Sequence, residues 1–393
     1  MLIGLVGKTN VGKSTFFSAS TMVDVEIANR PFTTIKPHQG IGYVRSRCVH
    51  NEFSVKDEVC RNGTRLIPVT LLDIAGLVPG AHEGKGLGNK FLDDIRQADV
   101  HIHVVDASGS TDPQGRHVGP GAYDPLDDVR FLENELDVWL VDVLKRDWYK
   151  VSKPVAQSST ETVSSVIHSR LTGLGYSKEA VEASLNAAGL EAKKPADWAG
   201  EDFTVFAKKL RKIGKPSVIA ANKADLPSAD ENIERMKREV DQPVVPVVAE
   251  AELALRKASA RGLIEYFPGD AQFRVTASSL PAEKEQALRR LSTILEKHGG
   301  TGVQQTLEAA VFDAYKAIVV YPVEDLARLS DKNGRVLPDA HILKAGSTPK
   351  DLARLVHSDL AENYQYSVDA RTKQRLAADY ILKDRDVLKI VAQ

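Results

Sequence analysis

Gly7-Lys8-Thr9-Asn10-Val11-Gly12-Lys13-Ser14 follows the apolar run Leu2-Ile3-Gly4-Leu5-Val6 and leads into Thr15-Phe16-Phe17. The order is that of a buried strand, a glycine-bounded loop and the start of a helix. The G-x-x-x-x-G-K-S spacing lets a loop curl its backbone N–H groups inward around a β-phosphate, and glycine permits the backbone angles this requires. Gly7 and Gly12 fill those positions, with Thr9, Asn10, Val11 and Thr15 lining the expected cradle. Lys13 would bring a point charge to the β- and γ-phosphates, Ser14 a hydroxyl to Mg²⁺, and the helix N-terminus a favourable dipole.

Further apolar runs at 67–72, 100–105, 217–221 and 244–248 each end in a polar or glycine-containing turn. Strands alternating with helices predict an α/β fold: a mostly parallel sheet with helices on both faces. Ligands of such sheets bind beyond the C-terminal strand ends, where the motifs fall. Asp73-Ile74-Ala75-Gly76 follows the run at 67–72, so the Asp73 carboxylate is expected to reach Mg²⁺ through water. Gly76 would turn its N–H to the γ-phosphate. Within Pro31-Phe32-Thr33-Thr34-Ile35, Thr34 rather than Thr33 is taken as the second hydroxyl for Mg²⁺. The catalytic group is thus Lys13, Thr34 and Gly76, and the metal group Ser14, Thr34 and Asp73. The glycine-dense stretch 80–88 suits a segment that γ-phosphate contacts order and hydrolysis releases. Leu77 stands where Ras-type GTPases carry a water-orienting glutamine, so the attacking water must be placed from elsewhere in the switch, by a cation or by a partner. His82 reads as an incidental loop histidine.

Asn222-Lys223-Ala224-Asp225 follows the strand at 217–221. A carboxylate at Asp225 can accept from both N1–H and the exocyclic amine of guanine, and adenine presents no such donor pair. Two charge-assisted bonds of roughly 1.5 to 3 kcal/mol each favour guanine about a hundredfold or more. The Lys223 stem can cover the base plane, Asn222 can tie this loop to the phosphate loop, and Ala249-Glu250 can offer a backbone N–H to the guanine O6. The expected ligands are GTP and GDP.

The 393 residues suit two to three domains, and 42% hydrophobic with 27% charged residues describes a soluble globular chain. Basic and acidic residues number 52 and 53, so global charge does not announce a nucleic-acid binder. Two cysteines, no export signal and no long apolar span make a cytoplasmic protein the expectation, without a membrane partner. Cys48, His50 and Cys60 have no evident fourth metal ligand and read as buried or incidental side chains. From Asp124-Pro125 onward the pattern turns helical. Leu126, Val129, Leu132, Leu136, Trp139, Leu140, Val143 and Leu144 form one apolar stripe, expected to pack on a partner helix at 179–188 or 203–213. Residues 145–215 hold 13 basic and 8 acidic residues, including Lys208-Lys209-Leu210-Arg211-Lys212. This is either a face for RNA phosphates or an ordinary solvated helix face. Past Gly299-Gly300-Thr301-Gly302 come a strand at 317–321, a capped helix opening at Ser347-Thr348-Pro349 and a last strand at 387–391, a small α+β module.

The run Asp73-Ile74-Ala75-Gly76-Leu77-Val78-Pro79-Gly80-Ala81-His82-Glu83-Gly84-Lys85-Gly86-Leu87-Gly88-Asn89, with the other motifs, resembles the Obg family of GTPases and its YchF (Obg-like ATPase) subgroup. Tyr321-Pro322-Val323, Leu337-Pro338-Asp339, Gly346-Ser347-Thr348, His357 and 379–387 resemble a TGS domain of the β-grasp type. The resemblance implies a G domain at 1–125 and 214–303, a helical insertion at 126–213 and a TGS domain at 316–393. It also implies ribosome or RNA association, slow hydrolysis and a hydrophobic residue in place of the glutamine, as at Leu77. Asn10 matches the asparagine with which some of these GTPases hold K⁺ beside the phosphates. Several YchF members lack a regular guanine motif and prefer ATP, whereas Asn222, Lys223 and Asp225 are intact here. Three functions follow: a GTPase that switches on a ribosome, a nucleotide-gated RNA-binding adaptor with negligible hydrolysis, and an ATPase. A monomer is expected.

Overall fold

The computed structural model describes residues 1–23, 38–57, 59–76, 94–150, 152–153 and 162–393. Six strands form the first sheet: β1 (Leu2–Val6), β2 (His38–Arg47), β3 (Thr64–Asp73), β4 (Val100–Asp106), β5 (Ser217–Asn222) and β6 (Val244–Pro246). Their order is β2-β3-β1-β4-β5-β6, and β1 pairs in parallel with β3 and β4, β4 with β5, and β5 with β6. Every residue of β4 is buried, as a central strand covered on both faces must be. The alternation of strand and helix thus gives the expected P-loop NTPase sheet. A short ribbon follows, β7 (Ile264–Glu265) with β8 (Arg274–Val275).

The helix Pro125–Lys145 begins as its sequence dictates: the Asp124 side chain accepts from Leu126 N, proline occupies the first turn, and Asp127 and Asp128 face the positive end of the dipole. Its apolar stripe does not meet one helix along its length. Leu126 and Val129 pack with Val105, Ala221 and Ile233, and Leu132 with Val6, Leu72 and Ile74, so the first half covers the sheet. Leu140 and Leu144 enter the helical core, with Leu171, Leu185, Phe206 and Leu210, and Trp139 and Val143 pack against it. The stripe is continuous because one face of the helix is buried along its whole length, but the burying partner changes halfway. Trp198 and Phe203 of this core form an aromatic cluster with Trp148 at centroid distances of 4.8 to 5.5 Å, Phe203 meeting both indoles edge to face. Arg211, part of the basic run, is buried and bonds Asp137 at 2.6 Å and Glu133 at 3.0 Å, while buried Lys215 donates to the Ala98 carbonyl at 2.6 Å. Neither belongs to a surface that could meet phosphates. Lys208 and Lys209 are exposed.

Two units divide the chain: Leu2–Ile41 with Thr70–Ala310, and Met1 with Gly42–Val69 and Val311–Gln393. The second holds a five-stranded sheet of β9 (Ala317–Pro322), β10 (His341–Lys344), β11 (Tyr364–Asp369), β12 (Arg375–Leu376) and β13 (Asp386–Ala392), in the order β10-β9-β13-β11-β12. β9 and β13 are parallel and the remaining pairs antiparallel. The helix Pro349–Val356 opens on a reciprocal capping box between Thr348 and Asp351, and Leu352 buries against Ile318, Val320 and Leu388. Within this unit Arg371 and Arg385 both bond Glu52, at 2.8 Å each, fastening the β2–β3 segment to the C-terminal module.

Candidate functional site

The phosphate-loop sequence lies between β1 and the helix Lys13–Thr21, and the Asn222 loop leaves β5 two strands away. Asn222 joins them. Its buried amide donates from Nδ2 to Val11 O at 2.8 Å and accepts at Oδ1 from Ala249 N at 3.1 Å. Gly12 has φ of 96°, and a Cβ there would stand 2.3 Å from Asn222 Nδ2, so both the angle and the close approach require glycine. One side chain therefore holds the loop at 7–14, the loop at 222–225 and the helix Ala249–Ala260 in one arrangement.

Beyond β3, Ser14 Oγ donates to Asp73 Oδ2 at 2.9 Å. Asp73 is fully buried and its Oδ1 has no hydrogen-bond partner among the described residues. Burial pushes its carboxyl above the usual range, against the pull of Lys13 and Ser14. Burial also lowers Lys13, whose ammonium donates to Lys8 O at 2.7 Å and is steadied by the Asp73 charge. A Cβ on Gly76 would meet Thr9 Cγ2 at 2.9 Å and Lys13 Nζ at 3.5 Å, which brings the backbone after β3 against the lysine. Two hard oxygen donors, one an orphaned buried carboxylate oxygen, fit a small divalent cation. Thr15 is half-buried in the first helical turn, and Asp225 lies exposed at the end of its loop. Thr33, Thr34, Leu77, His82 and the stretch 80–88 lie outside the described residues.

The segment after β4, 107–124, touches the phosphate loop in a way motif spacing does not announce. Asn10 Nδ2 donates to Gly115 O at 2.8 Å, Thr9 Oγ1 to Gln114 O at 3.2 Å, and Lys8 Nζ to Thr111 O at 2.8 Å. Lys8 also pairs with Asp128 at 2.8 Å and lies over the Tyr123 ring. Asp106, at the end of β4, accepts from Ser108, Ser110 and Thr111 hydroxyls and from Lys223 Nζ at 2.9 Å. Despite its burial, the hydroxyls and the Lys223 ammonium hold its carboxyl below the usual range. Lys223 meets this partner with a left-handed backbone, φ 60°. The available signal was an acidic residue closing a buried strand just before Ser108-Gly109-Ser110-Thr111.

Three family models match: a 50S ribosome-binding GTPase at residues 2–132, an Obg-like GTPase of the YGR210-like type, its G4 motif-containing domain, at 220–325, and a TGS domain at 334–392. An uncharacterized GTP-binding protein of Methanocaldococcus jannaschii is 47% identical across 100% of this chain and 99% of its own. The chain belongs to the Obg-like family of GTPases. A crystal structure of a GTP binding protein from Pyrococcus horikoshii OT3 is similar over 100% of both chains, with 38% identity and a TM-score of 0.77. The ribosome-binding ATPase YchF of Bacillus subtilis is 35% identical over 60% of each chain. As a member of this family the chain is a P-loop nucleotide hydrolase with an α/β GTPase domain and a C-terminal TGS domain. No helix of the described residues is long and apolar enough to cross a membrane.

Proposed function

We propose that this GTPase selects guanine, hydrolyses GTP to GDP and phosphate with Mg²⁺ at a slow intrinsic rate, and acts as a monomeric cytoplasmic switch on a ribosome or RNA. The observation that carries the reading is the Asn222 link between Val11 and Ala249, because it couples the base-reading loop to the phosphate loop. Asp225 reads N1–H and the exocyclic amine. With the Ala249 N–H taken by Asn222, the donor to guanine O6 passes to Glu250 in the same helical turn. Lys13 exchanges the Lys8 carbonyl for phosphate oxygens, while the N–H groups from Thr9 to Thr15 enclose the β-phosphate.

Ser14 and Asp73, joined by Thr34, would hold Mg²⁺. That ion supplies charge neutralisation between the β- and γ-phosphate oxygens. Gly76 turns its N–H to the γ-phosphate. Asn10 has its amide nitrogen fixed by Gly115, which leaves the side-chain oxygen to face K⁺ beside the phosphates. With leucine at 77, no side-chain amide orients water, so turnover is slow until K⁺ or a partner assists. The family-model description and the Bacillus subtilis relative's name support the ribosome as that partner. The relative's name also favours a second reading, an ATPase; the intact Asn222, Lys223 and Asp225 argue against it.

Single-turnover hydrolysis of GTP, in KCl and in NaCl, with and without ribosomes, tests the switch. K⁺ or ribosomes should raise the rate above that without protein. A rate equal to the protein-free control under all four conditions would leave the adaptor reading standing instead.

A further inference from the structure

The β2–β3 connection brings together a group of side chains remote in chemistry from nucleotide binding. Cys48 follows β2, His50 opens the helix His50–Phe53, and Cys60 precedes β3; one donor atom from each lies within 4.8 Å of the others. Cys48 N donates to Gly63 O at 2.8 Å, and Arg61 and Thr64 exchange both backbone bonds at 2.9 Å, so a turn fastens the two ends of the connection. His50 Nδ1 is buried and has no hydrogen-bond partner among the described residues. A fourth donor, invisible in the spacing of the other three, stands against one of them, Cys48. Asp57 Oδ2 accepts from Cys48 Sγ at 3.1 Å and from Arg65 Nη1 at 3.0 Å, and Asp57 Oδ1 accepts from Val59 N at 2.9 Å. Asp57 and Arg65 are 8% and 3% exposed.

We propose that Cys48 Sγ, His50 Nδ1, Asp57 Oδ2 and Cys60 Sγ bind one Zn²⁺ ion as a structural site. Two thiols, an imidazole nitrogen and a carboxylate form a mixed soft and borderline donor set suited to zinc, and four protein ligands close the coordination sphere. Zn–S near 2.3 Å and Zn–N or Zn–O near 2.0 to 2.2 Å place tetrahedral donors about 3.3 to 3.8 Å apart, so the Cys48, His50 and Cys60 donors need to close by up to about 1.5 Å per pair, and Asp57, already bonded to Cys48, must turn toward the other two. The charges also close. Two thiolates and one carboxylate carry three negative charges; Zn²⁺ and the Arg65 guanidinium carry three positive ones. Arg65 holds Asp57 from outside the donor set and passes a second bond to Pro338 O at 2.8 Å, the arrangement that orients a metal-bound carboxylate. Zinc also gives the orphaned His50 nitrogen its missing partner. Binding releases the two thiol protons to solvent, and the bound ion staples the β2–β3 connection to itself.

The test is metal analysis of the full chain, purified in reductant without chelator. About one zinc per chain is expected, falling at least tenfold in Cys48→Ser and Cys60→Ser and less steeply in Asp57→Asn. Should the serine variants fail to fold, Co²⁺ exchange on the unaltered protein decides the matter. Intense visible bands of tetrahedral Co²⁺, with thiolate charge transfer in the near ultraviolet, and two thiols that react only after chelation would support the site. Absence of bound zinc together with a weak octahedral Co²⁺ spectrum overturns it, as does recovery of a Cys48–Cys60 disulfide from the reduced preparation.

Discussion

Replacing Asn222 by alanine separates the base-reading loop from the phosphate loop, and its cost follows from the bonds it removes. Val11 O loses its 2.8 Å donor and Ala249 N its 3.1 Å acceptor, at residues 0% and 1% exposed. Each buried group left without a partner costs about 1 to 3 kcal/mol, so the substitution should destabilise the nucleotide-free protein by about 2 to 6 kcal/mol. Gly12→Ala is the complementary perturbation. The φ of 96° costs a non-glycine residue about 1 to 2 kcal/mol. Its new Cβ would also displace Asn222 Nδ2, 2.3 Å away, and with it the bond to Val11. In the Asn222→Ala background that obstacle is gone and only the angular cost remains. Urea unfolding of wild type, both single variants and the double variant should therefore give a double variant less damaged than the sum, by about 1 to 3 kcal/mol. Penalties that add to within about 0.5 kcal/mol would refute the coupling, and so would a loss below that size for Asn222→Ala.

Burial holds the imidazole of His101 down at about 4 and that of His103 at about 3, with nearby cations adding to the effect. Both therefore stay neutral in the fold while the unfolded chain takes up protons near 6.5. Their contribution is whole above pH 6.5 and lost progressively as pH falls through 6.5 toward those folded values. At pH 5 the loss is on the order of 2 kcal/mol per histidine. Urea unfolding at pH 7.5 and 5.0 should show it, and His103→Asn should remove about half; equal slopes for variant and wild type would contradict the assignment. Asp106→Asn takes the charge from beneath Lys223 and should cost about 2 to 4 kcal/mol while weakening GTP binding measured by calorimetry. An unchanged affinity would show that the Lys223 conformation does not depend on Asp106.

The parts of this fold legible in the sequence are those whose cause is local. Val6 ending an apolar run before Gly7 reports a strand and loop, Asp124-Pro125 reports a helix start, and Ser347-Thr348-Pro349 reports a capped one. Each signal lies within a few residues of the structure it makes. The contacts of Asn10 with Gly115 and Lys8 with Thr111 join residues about a hundred positions apart, and no periodicity encodes them. Likewise, the stripe on Pro125–Lys145 reports burial without naming the partner, so the division between sheet and helical core was hidden. Arg211 shows the converse: a basic residue in a basic run looks like surface until Asp137 and Glu133 are folded against it. Asp57 escaped notice beside Cys48, His50 and Cys60 because an isolated carboxylate in a short connection carries no spacing signature.

Guanine selection by Asp225, on a loop tied to the phosphate loop by Asn222, is the centre of this account. The direct measurement is calorimetric competition between GTP and ATP on the nucleotide-free chain with Mg²⁺ and K⁺. Two charge-assisted bonds to Asp225 predict GTP binding tighter by about a hundredfold or more, with the preference collapsing in Asp225→Asn. Equal or tighter binding of ATP by the unaltered protein would contradict it.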